Sequence, residues 1–174
     1  MIATIDGASF QRMVIHGAAS INAQKQSINE LNVFPVPDGD TGTNMSLTIG
    51  TSAAEMKKKA AKSVGQAASM HASALLRGAR GNSGVILSVF FRSVARTLKE
   101  KETATIADFA QAMDAGVKGA YQAVMNPTEG TILSVMRAAS ECAAQLVELA
   151  PDQDFETLFV AIITAADAAL DKTP

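Results

Sequence analysis

The sequence holds a single cysteine, Cys142. An internal disulfide is therefore excluded, and a metal site built on cysteine has no basis. Cationic charge is not in excess: Lys plus Arg number 15 against 17 for Asp plus Glu, a net charge of −2. A nucleic-acid binder usually carries a basic surplus, so that class is set aside. Aromatic residues are only 5% of the chain. No window sustains the apolar–polar alternation of an exposed strand. Long hydrophobic runs are missing too. Val85 to Phe91, itself broken by Ser88, falls far short of the roughly 20 residues that span a bilayer. The opening, Met1-Ile-Ala-Thr-Ile-Asp-Gly7, shows no basic stretch ahead of an apolar one, so no secretory leader is expected. A reduced, cytoplasmic protein without a membrane span is the expectation.

What is present is apolar and helix-forming. Hydrophobic residues make up 48% and charged residues 18%, too apolar for a disordered chain. A length of 174 residues suits one domain over 1–174, large enough to bury roughly 70% of its unfolded surface without a disulfide or metal. Phe10, Met13, Val14, Gly17, Ile21, Gln24, Ile28 and Leu31 recur at steps of three and four, one face of a helix of about six turns. Pro35, Pro37, Gly39 and Gly42 force a loop over 32–43. A helix is expected from Thr43 to about Lys59. Ser63 and Gln66 have capping-box spacing and open another to about Leu76. After Arg77-Gly-Ala-Arg-Gly81, Asn82 or Ser83 is expected to cap a helix through Leu98. Thr105 and Asp108 repeat the capping-box pattern before a helix to about Met125. Asn126-Pro-Thr-Glu-Gly130 breaks the chain again. Thr131 to Leu149 and Asp154 to about Leu170 complete seven helices with no confident strand. Paired alanines, such as Ala67-Ala68 and Ala138-Ala139, suggest closely packed helices in a bundle or ring.

The chemistry concentrates in Asn32-Val-Phe-Pro-Val-Pro-Asp-Gly-Asp-Thr-Gly-Thr-Asn44. Asp38 and Asp40 stand two residues apart in a proline-stiffened loop. Two carboxylates that converge repel each other unless a cation lies between them. Hard oxygens suit Mg²⁺ or Ca²⁺. Thr41, Thr43, Asn44 and Ser46 add hydroxyls and amides, Gly42 permits close approach, and a helix start favours phosphate. Metal and phosphate ligands together are the parts of a nucleotide site. An isolated Asp-Gly-Asp-Thr-Gly run serves about as often as a plain surface turn; the flanking residues shift the balance toward a site. An EF-hand is excluded, because Thr43 and Ile49 fall where it needs Gly and Glu, and no Walker A run occurs. Gly81-Asn-Ser-Gly84 and Thr131-Ile132 open two further helices after breaks. In a helical ring, three such loops on one rim would make one site. His16 reads as a packing or surface residue, His71 as a structural one, and Cys142 as a small buried filler. Met45, Met56 and Met70 read as core. Lys57-Lys-Lys59 reads as a solvated helix end, with docking of an acidic partner as the minor alternative. Arg77 and Arg80 could meet either a phosphate or a neighbouring carboxylate.

The motif Asn32 to Met45 resembles the nucleotide-binding domain shared with the L subunit of dihydroxyacetone kinase, and in this longer form is most similar to the N-terminal domain of bacterial fatty acid kinase A. Gly78 to Leu87 and Pro127 to Leu133 resemble that family's second and third loops. The resemblance implies an all-α antiparallel ring of seven to eight helices with ATP (or ADP) at one rim and a pair of Mg²⁺ ions. Asp38 and Asp40 match two metal-binding aspartates of the family, and Asn32 stands where the third is expected. Thr41, Gly42, Thr43 and Asn44 match phosphate-contacting positions. Asn82, Ser83 and Gly84 match the second loop, and Thr131 and Ile132 lie near the base or ribose. The implied reaction moves the γ-phosphoryl group of ATP to the carboxylate of a fatty acid held by a separate binding protein, giving an acyl phosphate. A homodimer is compatible with it. The resemblance also implies that a last helix and later domains lie outside this chain. No general base is identified.

Overall fold

The computed structural model describes residues 1–33 and 37–173. Phe34, Pro35, Val36 and Pro174 lie outside the described residues, so the stiffening expected of Pro35 is not addressed. Seven helices make up the described residues: α1 (Gly7–Glu30), α2 (Thr41–Lys58), α3 (Val64–Gly78), α4 (Gly81–Leu98), α5 (Ile106–Ala123), α6 (Ile132–Leu149) and α7 (Phe155–Leu170). The one extended pairing among them is an isolated antiparallel bridge between Ile5 and Ala104. The fold is all-α, as the composition and periodicity imply.

Each helix packs on the next, and α1 also touches α3 while α2 touches α4. The first four run antiparallel. Gln11 near the start of α1 bonds carbonyls of Met56 and Lys59 at the end of α2, while Asn29 near the end of α1 bonds Thr43 at the start of α2. Thr48 of α2 meets Arg80 just beyond the end of α3, while Ser52, further along α2, meets His71, further back in α3. Gly65 of α3 lies against the carbonyls of Leu98 and Lys99 at the end of α4. This alternation places the end of α1 and the starts of α2 and α4 on one rim.

The caps follow local chemistry. Thr105 and Asp108 form the complete reciprocal box. Asp6, Asp154 and Thr131 cap α1, α7 and α6 through their side chains. At α3 the box is half made. Ser63 Oγ accepts from the Gln66 amide, but the Gln66 side chain accepts from Lys62 N–H, one residue earlier than expected. Two helix starts differ from expectation. α2 begins at Thr41 rather than Thr43, with Asp40 at its N-cap. α4 begins at Gly81, capped by Arg80 and not by Asn82 or Ser83. Arg80 is fixed there because its backbone N–H donates to Thr48 Oγ1 at 3.0 Å, a tertiary contact that local spacing does not reveal.

One large apolar core draws on all seven helices, α2 through Met56 alone among its buried members, with Phe155, Leu158, Leu98 and Val64 fully buried. Small residues bring its backbones together: Ala67, Ala112, Ala120 and Ala143 are fully buried. A second, smaller cluster of Ala18, Ile49, Ala53, Leu75 and Leu87 lies among α1 to α4, with Met45 and Met136 packed against it. Met56 is buried, and Met70 packs against the main core. Cys142 is half-buried rather than fully enclosed.

His71 is completely buried. Its ring stands edge-on to Phe91, with centroids 4.3 Å apart, and to Phe10. Its Nδ1 lies 2.7 Å from Ser52 Oγ, while Nε2 has no partner among the described residues. Burial pushes its pKa down from 6.5 to about 3, so the ring is neutral in the folded chain.

Candidate functional site

The acidic loop turns on Gly39, whose φ of +67° lies in the left-handed region that glycine occupies without penalty. Asp38 and Asp40 flank it, and both are exposed. Asp40 stands at the N-cap of α2, a position where an aspartate ordinarily bonds the helix amides. Here its carboxylate makes no such bond. Neither carboxylate has a protein partner among the described residues. Two unpaired hard-oxygen donors beside a helix start fit a divalent oxygen-seeking cation. They stop at two: no group of three His, Cys, Asp or Glu side chains suited to a metal occurs among the described residues.

Asn32, standing where a third acidic ligand is expected, lies beside them. Its Oδ1 accepts from Thr41 Oγ1 at 2.8 Å and from Thr41 N–H at 3.4 Å. It is the first of three asparagines on α1 and its C-terminal extension that brace the start of α2. Asn29 Oδ1 accepts the Thr43 amide at 3.0 Å, and its Nδ2 donates to Thr43 Oγ1. Asn22 Oδ1 accepts from Ser46 Oγ at 3.1 Å. The hydroxyls of Thr41, Thr43 and Ser46 therefore hold α2 against α1. Asn22 and Asn29 escaped the sequence reading. Their seven-residue spacing puts both on one face of α1, two turns apart, and that polar stripe was the available signal. Gly42 completes the brace. It is buried, and a Cβ there would run into the carbonyl of Lys25 and come within 3.0 Å of Asn29 Oδ1.

The second loop packs directly on the first. Gly81 has a φ of +61°, and a Cβ there would lie 2.8 Å from the Asn44 side-chain nitrogen. A Cβ on Gly84 would lie 2.5 Å from Thr48 Oγ1. The first turns of α2 and α4 thus lie side by side, separated only by hydrogen atoms at the two glycines. The amides of Thr41 and Thr43 are taken by asparagines, so the donors at this rim come more from α4. The N–H groups of Gly81, Asn82 and Ser83 precede the first helical bond, from Gly84 to the Arg80 carbonyl. With no acidic residue in its first turn, this end of α4 presents partial positive charge suited to an anion.

The third loop is built separately. Glu129 is its hub: Tyr121 Oη donates to one carboxylate oxygen at 3.0 Å, while Ser134 Oγ and Arg137 bond the other at 2.7 Å each. The Ser134 hydroxyl, followed by Tyr121 and Arg137, holds the Glu129 carboxyl below its ordinary pKa. Ser134 Oγ also accepts from the Gly130 amide. This network presents Thr131, whose hydroxyl caps α6, and the half-buried Ile132. Met136, one turn further on, packs against the small cluster that includes Ile49 and Leu87. Through Met136, α6 thus touches an apolar cluster that α2 and α4 share beyond their first turns. Glu129 and Tyr121 were not anticipated from the sequence. Arg77 meets the carboxylate alternative: one guanidinium nitrogen, Nη2, lies 2.7 Å from each carboxylate oxygen of Glu55. Arg80 donates to the carbonyl of Ala79.

Comparison with known proteins identifies the family. A sequence model of one family, described as the DAK2 domain, matches residues 35–174. Protein YloV of Bacillus subtilis is 43% identical over 173 residues, which cover 99% of this chain and 31% of that protein. An uncharacterised protein of Staphylococcus epidermidis is 42% identical over 174 residues, again 31% of its length. A third relative, from Staphylococcus aureus, is 40% identical over the same span. The chain spans about a third of the length of the curated relatives it matches. None of its described helices is long and apolar enough to cross a membrane.

Proposed function

The chain belongs to the DAK2-domain family, and from that premise we propose that it is the Mg·ATP-binding domain of a kinase that phosphorylates a fatty acid held by a separate binding protein, yielding an acyl phosphate. The observation that carries the reading is the pair of carboxylates, Asp38 and Asp40, without a partner among the described residues, beside a helix start on which a second helix start is packed. In this reading Asp38 and Asp40 hold magnesium, two ions in all, with Asn32 joining directly or through water. Bound magnesium would neutralise charge on the β- and γ-phosphates. The chain's own residues do the rest. Gly81, Asn82, Ser83 and Gly84 offer amides to the phosphates, Asn44 stands between the two loops, and Thr131 and Ile132 border the base or ribose. Thr41, Gly42, Thr43 and Ser46 set the start of α2 through their bonds and contacts with α1. Phosphoryl transfer asks chiefly for such positioning and charge neutralisation, so the absence of an obvious general base is no obstacle. The relatives extend well beyond this chain, and the acyl-carrying partner and the groups that orient the acceptor belong to the whole protein in this proposal. A homodimer is compatible with it, and the cytoplasm is its proposed location.

The family match favours one alternative acceptor, a small polyol or ketone of the dihydroxyacetone type, used with the same nucleotide site. A phosphotransfer assay that offers each acceptor to the longer protein separates the two. The nucleotide site is tested by thermal unfolding. Mg·ATP at about 100 times its dissociation constant should stabilise the chain by about 2.7 kcal/mol. Asp38→Ala and Asp40→Ala should each abolish that stabilisation and leave the nucleotide-free melt and helical spectrum unchanged. Full stabilisation in both variants would overturn the reading, and a wild-type chain that does not respond to Mg·ATP would point to a non-catalytic helical interaction module.

A further inference from the structure

α2 and α3 border a shallow groove of about 470 Å³, open to solvent and lined by Met70, by Ser69 and Ser73 of α3, and by Lys58, Lys59 and Arg77. Residues 55–77 hold five of the chain's 15 cationic side chains, Lys57, Lys58, Lys59, Lys62 and Arg77, and only one of its 17 acidic ones, Glu55. Glu55 is already committed to Arg77. None of the four lysines is in an ion pair among the described residues, and all four are exposed. Favourable placement at the C-terminal end of α2 accounts for Lys57 and Lys58. It does not account for Lys62, in the connection beyond that helix, or for the groove beside the lysines.

We propose that this groove docks an acidic, amphipathic helical segment of a partner protein. Its apolar side would lie on Met70 and the methylene stems of the lysines, and its carboxylates would meet Lys58, Lys59 and Lys62. The dimensions agree. From Gln66 to Arg77, α3 rises about 16 Å, the length of about three helical turns. The lining favours a protein segment over a lipid surface, because a bilayer-binding patch needs apolar side chains that project beyond the charges, and the only apolar side chain here is the half-buried Met70. Gly78, directly after Arg77, leads into the second loop of the rim, so a segment seated here would end beside the candidate site. The proposal rests on charge and shape and does not depend on the nucleotide reading.

The test uses the 174-residue chain and a fluorescent synthetic helix of about 16 residues with Leu on one face and Glu on the other, followed by anisotropy without nucleotide. Saturable binding is expected, weakening steeply with added salt. Lys58→Glu combined with Lys59→Glu should weaken it at least about tenfold. Ser73→Tyr, which fills the groove without changing charge, should also weaken it and decides the matter should the double variant fail to fold. Lys99→Glu combined with Lys172→Glu, carrying the same charge change elsewhere, should bind the peptide within about twofold of wild type. Equal loss in the control pair, undiminished binding in the groove variants, or no binding by the wild type overturns the proposal. So does groove-dependent binding to phosphatidylglycerol–phosphatidylcholine vesicles in place of the peptide, which would reassign the surface to membranes.

Discussion

Lowering the pH from 7 to 5 should remove about 2 kcal/mol of folding stability through one residue, His71. The ring is enclosed by Phe10, Phe91 and Ser52, with no charged partner among the described residues to stabilise a proton, and burial holds its pKa at about 3 against an ordinary 6.5. Between those values the unfolded chain takes up a proton that the folded chain refuses. Stability therefore falls as pH falls through 6.5, with a limiting slope of about 1.4 kcal/mol per pH unit. At about pH 5 the unfolded histidine is almost wholly protonated and the folded one is not, and the difference integrates to about 2 kcal/mol. The groups with lowered carboxylate values, Asp6, Asp108, Glu129 and Asp154, contribute acid sensitivity only as pH falls through the ordinary carboxylate range and below. The window from pH 5 to 6.5 thus isolates the imidazole. Urea unfolding at several pH values should be run on wild type and on His71→Gln, which retains a polar partner for Ser52 without titrating there. The variant should be less stable at pH 7 and markedly flatter with pH. Parallel stability–pH lines for the two proteins would refute the reasoning, because they would show that the buried ring accepts its proton without unfolding.

Two glycines of α2 should respond to alanine with opposite signs. Gly42→Ala drives a methyl into the Lys25 carbonyl and should destabilise the chain by about 1–3 kcal/mol. Gly50→Ala meets nothing within 4 Å and should stabilise it by about 0.5–1 kcal/mol. Chemical denaturation of both measures the contrast, and a like sign would contradict the packing of α1 on α2. Thr105→Ala removes the hydroxyl half of the box that starts α5, leaving the backbone N–H that donates to the Asp108 carboxylate, and should lower stability by about 1 kcal/mol, readable as a shift in the urea midpoint at unchanged slope.

Helix content and order were legible because local rules and tertiary packing agree over most of the chain. The Thr105–Asp108 box, the Asp154 cap and the breaks at 99–105 and 126–131 are written in adjacent residues, and each helix stops within a few residues of its punctuation. What escaped depends on contacts made across the sequence. The α4 start was read at Asn82 or Ser83, good local caps, but Thr48 on another helix holds the Arg80 amide and moves the boundary. The half-made box at Ser63 has the same origin in geometry that spacing alone does not encode. At the rim, the acidic pair and the second loop stand out as residue types. The asparagine brace does not, because Asn22 and Asn29 look like ordinary surface polarity until α2 is laid against α1. Glu129 was passed over as a loop residue, and its role emerges only when Tyr121, Ser134 and Arg137 converge on it.

The first five residues reach much later parts of the chain. Ile5 pairs with Ala104, and Ile2 exchanges hydrogen bonds with Asp154 and Phe155. On the ribosome, the amino terminus waits until residue 155 has emerged before its last bonds can form. At ordinary elongation rates that interval is on the order of ten seconds. Through that time α1 has neighbours to lean on, but the strap beneath it has no anchor. An affinity tag fused directly ahead of Met1 would crowd that late fastening, whereas one joined through a flexible spacer would let it close.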